Sequence, residues 1–558
     1  MRRFLLSLLL TTVLILPFPA VQAQRKSARA KKPVATTSVS TKGAEQITAA
    51  QMREYLTFIS SDEMEGRDTP SRGLDLTAKF LATNLARWGL KPVGDDGTFF
   101  QKIALRRDQV NKEQTRVRLN DQILAFGEDY IALPNNADVS GPLVFAGNGW
   151  FVKSKNMDAY RGIDAKGKIA VIFTSLSGMP KGVTSSDLSS GKPGEDWIAP
   201  FENARKHGAI ATVVVPDFQF MANWERNRQR ITERPTTVVD KFQPPETTTR
   251  LPGLVITPRI ANLLFQGERQ NATALFEATF GGAAPEPFEL SPTKKMSITI
   301  SNKGGPISTQ NVVAVFEGSD PVLKDEYVAL GAHYDHVGVG GPVNGDAIYN
   351  GADDDGSGTT ALLAIAEALA KAPTRPKRSV LFNWHAGEEK GLWGSRYFTE
   401  YPTVPLQKIV TQLNIDMIGR SRKEGDTNPR NNSLSGPNEI YVIGSKMMST
   451  ELGELTEGVN KAYLNLTYNY RYDDPKDPNR FFFRSDHYNY ARKGIPIVFF
   501  FDGEHEDYHR PGDEAQKIDY EKMQKIVRTV YMMVWEIGNR PTRPRVDKQL
   551  PPELNGQN

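Results

Sequence analysis

The stretch from Gly331 to Gly358 carries a His-x-Asp pair, His333 and Asp335, and then Asp353, Asp354 and Asp355 in a glycine-rich setting. Three more segments end an apolar run in acids or histidine. The 382–389 segment closes on Glu388-Glu389, the 413–419 segment contains Asp416, and the 498–509 segment leads to Tyr508-His509. Alone, each has an ordinary meaning: a Glu pair is usually a solvated turn, and an aspartate run among glycines suits a calcium loop. Together they supply two histidines and several carboxylates. The chain has no cysteine, so any transition metal must be held by nitrogen and oxygen, a donor set suited to zinc, cobalt or manganese.

Strand-like apolar runs fall at 312–316, 327–332, 379–384, 409–415, 440–443 and 495–501, with helix-like runs between most of them. Alternating strand and helix predicts a mostly parallel sheet covered by helices. In such sheets ligands collect beyond the carboxyl ends of the strands, where these acids and histidines fall. A long amphipathic helix is expected over 519–538, with Met523, Ile526, Val527, Val530, Val534 and Ile537 on one face. Near the amino end the pattern is helical from 47 to 89, with Thr48 as an N-cap and Gly89 as a stop; Arg67 between these helices reads as a structural loop residue. From 115 to 290 the texture changes to short β-rich runs at 143–146, 168–173, 211–215 and 254–256, with no concentrated His/Asp/Glu cluster.

At 558 residues the chain exceeds one ordinary core. Arg2 and Arg3, an apolar run from 4 to 18 and Ala20-Val-Gln-Ala23 read as a secretory signal. Residues 24–45 read as a disordered tether and 542–558 as a disordered tail. The net charge is +4, but the first 32 residues hold seven Lys/Arg and no acid, so the body is left at −3. That gives no reason to expect a nucleic-acid partner. Past the signal, no stretch is apolar and long enough for stable membrane insertion.

His333-x-Asp335, Gly351-Ala-Asp-Asp354-Asp-Gly-Ser-Gly358, Glu388-Glu389-x-Gly-Leu-x-Gly-Ser395, Asn414-x-Asp416-Met and Tyr508-His509 resemble, in that order, the motifs of metallopeptidase family 28. Gly147-Asn-Gly, the 160–169 segment YRGIDAKGKI and Ala204 with His207-Gly-Ala resemble a protease-associated (PA) domain. The resemblance implies an α/β zinc-exopeptidase fold of the phosphorylase/hydrolase-like kind: a mostly parallel mixed sheet sandwiched by helices, with a β-rich PA-like insertion. Domains follow as signal 1–23, tether 24–45, amino-terminal peptidase part 46–125, PA-like insertion 126–290, catalytic domain 291–541 and tail 542–558.

The resemblance also implies roles. Two Zn2+ ions, with cobalt or manganese as possible substitutes, are held by His333 and Asp416 on one side and Glu389 and His509 on the other. Asp354 bridges them, and a cis peptide between Asp354 and Asp355 is expected. Asp335 orients His333, Glu388 is the general base for a metal-bridging water, and Tyr508 hydrogen-bonds the oxyanion. The expected activity is removal of amino-terminal residues from peptide substrates by an exported, periplasmic or secreted, enzyme. The alternatives are a carboxypeptidase, for which Arg484 and Arg510 are possible carboxylate partners, a glutaminyl-cyclase-like transferase and a non-catalytic binding protein. Arg484, Asp486 and His487, at the start of a short helix, are candidates for the substrate cleft. N-capping by Ser485 or Asp486 is the plainer role. The oligomeric state is not encoded in any motif.

Overall fold

The computed structural model describes residues 38–550, apart from 177, 190, 234, 244–250 and 282–284. The expected signal, most of the tether and the last eight residues lie outside the described residues. Two sheets organise the chain. The first has ten strands, in the order Thr236–Val239, Phe100–Val110, Asn302–Phe316, Ser379–His385, Tyr327–His333, Ile409–Ile415, Ile497–Phe501, Glu439–Ile443 and Thr467–Asn469, with Lys91–Pro92 paired to Asn302–Phe316. The four strands from Ser379–His385 to Ile497–Phe501 are mutually parallel. They are buried on both faces, so apolar residues occur on both faces of each strand rather than alternating with solvent-facing ones, even where buried polar residues such as Thr411, Gln412 and Asn414 interrupt the run.

Alternate residues of these strands serve different cores. Val328, Leu330, Val380 and Phe382 pack with helices Ala49–Ile59, Arg72–Arg87, Gly358–Lys371 and Tyr520–Asn539. Ala329 and Leu381 pack on the other face with Phe398, Tyr488 and Tyr490 from helices Trp393–Glu400 and His487–Ala491. Thr48 caps its helix in a reciprocal box with Gln51. The fold is thus mixed α/β.

Two terminal segments depart from expectation. Ser38–Glu45 is helical and buries Ala44, with Gly43 so close to the Tyr531 ring that a Cβ would overlap its hydroxyl. At the other end, Arg543 pairs with Glu326 at 2.6 Å, the Asp547 N–H donates to the Met448 carbonyl, and Leu550 is buried. Both segments are ordered by contacts with the main body.

The second sheet has nine strands between Arg116 and Ile300, so it reaches past the expected 126–290 insertion on both sides. Its central strands Ala137–Phe145, Ile169–Phe173, Ala211–Val215 and Gly253–Ile256 are parallel. Chain enters and leaves it along one ribbon. Phe100–Val110 and Asn302–Phe316 pair antiparallel from Phe100 opposite Val312 to Val110 opposite Asn302. One strand of the intervening chain, Thr236–Val239, returns to the first sheet and pairs with the outer edge of that ribbon.

Candidate metal centre

The parallel register sets His333 opposite His385 and Gly331 opposite Asn414. The residues just after these strands therefore share one edge. The aspartate loop is held against that edge by backbone-directed groups. Arg67, wholly buried, donates to the carbonyls of Ile59, Tyr334, Asn350 and Gly351. Gly351 has φ +58°, and a Cβ there would lie 2.4 Å from both the Asp354 carbonyl oxygen and His336 Cγ. The loop closes only on glycine.

The outer two aspartates are committed to backbone. Asp355 accepts the N–H groups of His333, Gly358 and Met417, tying strand, helix and loop. Asp353 accepts Gly419 N–H, and its Oδ2 lies 3.4 Å from His505 Nε2. Asp513 accepts the N–H groups of both Asp353 and Asp354. The Asp354–Asp355 peptide is cis. Of the three, only Asp354 turns both carboxylate oxygens to histidine side chains. Oδ1 is 3.2 Å from His333 Nε2 and Oδ2 is 3.1 Å from His509 Nε2. Asp416 Oδ1 is 3.6 Å from His333 Nε2, and Glu389 Oε2 is 3.1 Å from His509 Nε2. Glu388 Oε2 stands back, 4.0 Å from His333 Nε2, with 12% of its side chain exposed.

Charge is unevenly placed. Burial opposes ionisation of Asp354, yet His336, His333 and His509 hold its carboxyl well below the usual range. Burial also opposes charge on His509, but Asp354 and Glu389 raise it to about 10. Burial pushes Glu388 well above the usual carboxylate range; His333 pulls it down while Glu389, Asp416 and Asp486 push it further up. Tyr508 is also raised, by burial and then by Asp354 and Glu389, so its O–H stays protonated.

The residues fit a divalent metal. Asp354 Oδ2, Glu389 Oε1 and His509 Nε2 are buried without a hydrogen-bond partner although they face one another. Natural proteins rarely leave such groups unpaired, and their chemistry is that of zinc ligands. The set His333, Asp355 and Asp416, and the set His336, Asp354 and Glu389, each bring donors within 4.8 Å of one another.

Other residues sit differently from a simple motif reading. Asp335 approaches His333 Nδ1 with its backbone oxygen, at 3.1 Å, more closely than with its carboxylate, at 3.6 Å; that carboxylate accepts the Glu388 N–H. Asp486 and His487 are fully buried and present no surface to a substrate cleft. Asp486 pairs with His385 at 3.1 Å, and the His487 ring stacks on Phe499 with burial lowering its pKa to about 3. Arg484 is at the rim, bonded to Glu504 and to the Tyr508 hydroxyl. Tyr508 stacks on His509 with ring centroids 4.0 Å apart. Motif spacing did not point to Asp513, His336 or Ser485. Ser485 donates to Asp416 Oδ2 at 2.6 Å. The only sequence signal for His336 was its place directly after Asp335.

Comparisons with known proteins give the following. Residues 311–534 match the family model described as peptidase family M28. A probable zinc metalloprotease of Pyrenophora teres f. teres is 28% identical over 254 residues, covering 43% of this chain and 50% of its own length. Leucine aminopeptidase 2 of Arthroderma otae is 28% identical over 193 residues, covering 34% of this chain and 32% of its own. The chain thus spans about half, or less, of the length of these relatives. An aminopeptidase from Aneurinibacillus sp. strain AM-1 superposes with a TM-score of 0.50 at 15% identity, over 91% of this chain and 98% of its own. That likeness shows a shared fold reaching over both sheets.

Proposed function

We propose, from the premise that residues 311–534 belong to peptidase family M28, that this chain is an exported two-zinc exopeptidase removing residues from the amino end of peptides. The observation that carries the two-ion part is Asp354, one carboxylate facing His333 with one oxygen and His509 with the other. His333 and Asp416 would hold one ion, Glu389 and His509 the second, and Asp354 both. Zinc bound there would polarise a peptide carbonyl and acidify water.

The remaining work falls to the chain's own groups. Glu388 has no side-chain partner closer than His333, and its raised pKa makes it a strong base for a carboxylate. It takes the proton of the attacking water and returns it to the leaving amine. The Asp335 carboxylate fixes the Glu388 backbone, so the base is aimed by the same motif that supplies a ligand. Tyr508, protonated and held by Arg484, donates to the oxygen that gains charge. The acid-rich surroundings of Glu388, Glu389 and Asp354 suit a free ammonium terminus. The names borne by the relatives, a zinc metalloprotease and a leucine aminopeptidase, agree with this. The basic start, apolar run and small residues of 1–23 support export to the periplasm or medium, and the motifs of the 126–290 region support a PA-like module.

A second reading has its own observation. A cavity of about 470 Å³ beside Tyr508 is lined by Arg430, Arg471 and Arg510 against Glu504 and Glu506, an excess of cations that suits a substrate carboxylate and so a carboxypeptidase. Peptides blocked at one end or the other, followed by mass spectrometry with and without a zinc chelator, separate the two. Chelator-sensitive loss of single residues from free amino ends is the expected result. Trimming from the carboxyl end would favour the second reading, and no cleavage by zinc-replete protein would remove both.

A further inference from the structure

His336 follows the His333–Asp335 pair directly and has no role in the function argued above. It is wholly buried, and neither ring nitrogen has a hydrogen-bond partner. Nδ1 lies 2.9 Å from Glu389 Oε1 and 3.6 Å from Asp354 Oδ2. The first of these is close enough for a hydrogen bond but does not meet its geometry. Glu389 Oε1, Asp354 Oδ2 and His509 Nε2 are likewise without partners, and His509 Nε2 is 3.1 Å from both Asp354 Oδ2 and Glu389 Oε2. Four side chains therefore bring buried, unsatisfied polar atoms to one neighbourhood, an arrangement that is costly unless something satisfies them together.

Spacing narrows what that is. Donors at about 2.0–2.1 Å around a tetrahedral ion stand about 3.3–3.4 Å from one another, and the separations here run from 2.9 to 3.6 Å. The ring is also fixed in place. Gly351 abuts it so tightly that a Cβ would lie 2.4 Å from Cγ and 2.6 Å from Cδ2. The His336 N–H donates to the Arg67 carbonyl, and the ring meets that of His509 edge-to-face. A histidine ring clamped from behind by bare backbone is oriented for a task.

We propose that His336 is an additional protein ligand, through Nδ1, to the ion on the Glu389 side of the centre. The inference rests on the two-zinc reading above and changes its symmetry. The Glu389-side ion gains two imidazoles where the other has one. Nitrogen donors favour zinc over manganese or magnesium, so that side is the zinc-selective one.

The test is a crystal structure of the zinc-loaded wild-type protein, with ions located by anomalous scattering, paired with zinc titration and cobalt absorption spectra of His336→Asn. The expected results are His336 Nδ1 about 2.0–2.2 Å from one ion and, in the variant, one zinc equivalent bound as before while the other weakens at least about tenfold. The cobalt bands of that second site should shift. Zinc seated among Asp354, Glu389 and His509 with His336 Nδ1 beyond about 3 Å, or unchanged cobalt bands in the variant, would overturn the assignment while leaving the peptidase reading intact. Wild-type protein that takes up no zinc would instead remove the metal reading and this inference with it. The wild-type crystal needs no variant to fold.

Discussion

Asp354 turns its two oxygens toward different histidines because its neighbours in the triplet are already occupied: Asp353 and Asp355 hold backbone N–H groups of other segments. The same division separates Glu388 from Glu389. Glu389 is drawn to His336 and His509, at 2.9 and 3.1 Å, while Glu388 stands 4.0 Å from His333 and is partly exposed. Replacing Glu388 with Gln should therefore leave zinc content unchanged and lower kcat by about 10²–10⁴-fold, read by metal analysis alongside peptide turnover; substantial retained turnover would exclude Glu388 as the base. Ser485 acts one step further out. Its hydroxyl donates to Asp416 Oδ2 and accepts from Asn414 Nδ2, fixing which oxygen of Asp416 faces His333. Ser485→Ala should weaken zinc binding about 10–100-fold with an unchanged far-UV spectrum. Chelator competition would measure it, and wild-type affinity would show that Asp416 needs no such support.

Among elements, the central strands were legible because strands buried on both faces are rich in apolar residues without alternation. Most ligand motifs were legible because His333 ends such a strand and Glu388-Glu389 and Asp416 closely follow one. What escaped was set by distant partners. Asp513 reaches the aspartate loop across 160 residues of sequence. Ser38–Glu45 has almost no apolar periodicity and is ordered by the face of Tyr520–Asn539. Thr236–Val239 lies within the β-rich stretch yet pairs with Phe100–Val110 of the other sheet. That last strand protects an edge: Val239 joins Ile103, Leu105 and Tyr397 in a small core. Replacing residues 111–301 with an Asn-Gly turn between the paired Val110 and Asn302 should close a hairpin and keep zinc binding. It should also cost about 2–4 kcal/mol from the unpacked Ile103 and Leu105 and promote association through the bared edge. Chemical denaturation and size-exclusion chromatography would show both effects; a chain that neither folds nor binds zinc would mean that the first sheet depends on the second.

For the whole molecule, one carboxyl away from the centre works against the fold at neutral pH. Burial raises Asp473 to about 6, even though it accepts the Gly444 N–H. The folded chain holds that proton more tightly than the unfolded chain does. Stability therefore falls as pH climbs from about 4 through about 6, and the penalty is complete above that. Asp473→Asn keeps the acceptor and removes the charge. In metal-free protein it should gain about 1–3 kcal/mol at pH 7.5 and almost nothing at pH 4, measured by urea unfolding at the two pH values. An equal gain at both would assign the effect to packing.

The ribbon that joins the sheets has a mechanical meaning. Chain leaves the first sheet after Val110 and returns at Asn302, and the Asn111 N–H reaches the Ser301 carbonyl at 2.7 Å. A third strand is laced along the same ribbon. Torque on the outer sheet is then carried by rows of hydrogen bonds across three strands rather than by a flexible linker. The second sheet is thus mounted on the first as a cantilever, held by paired strands where a single linker would have made a hinge.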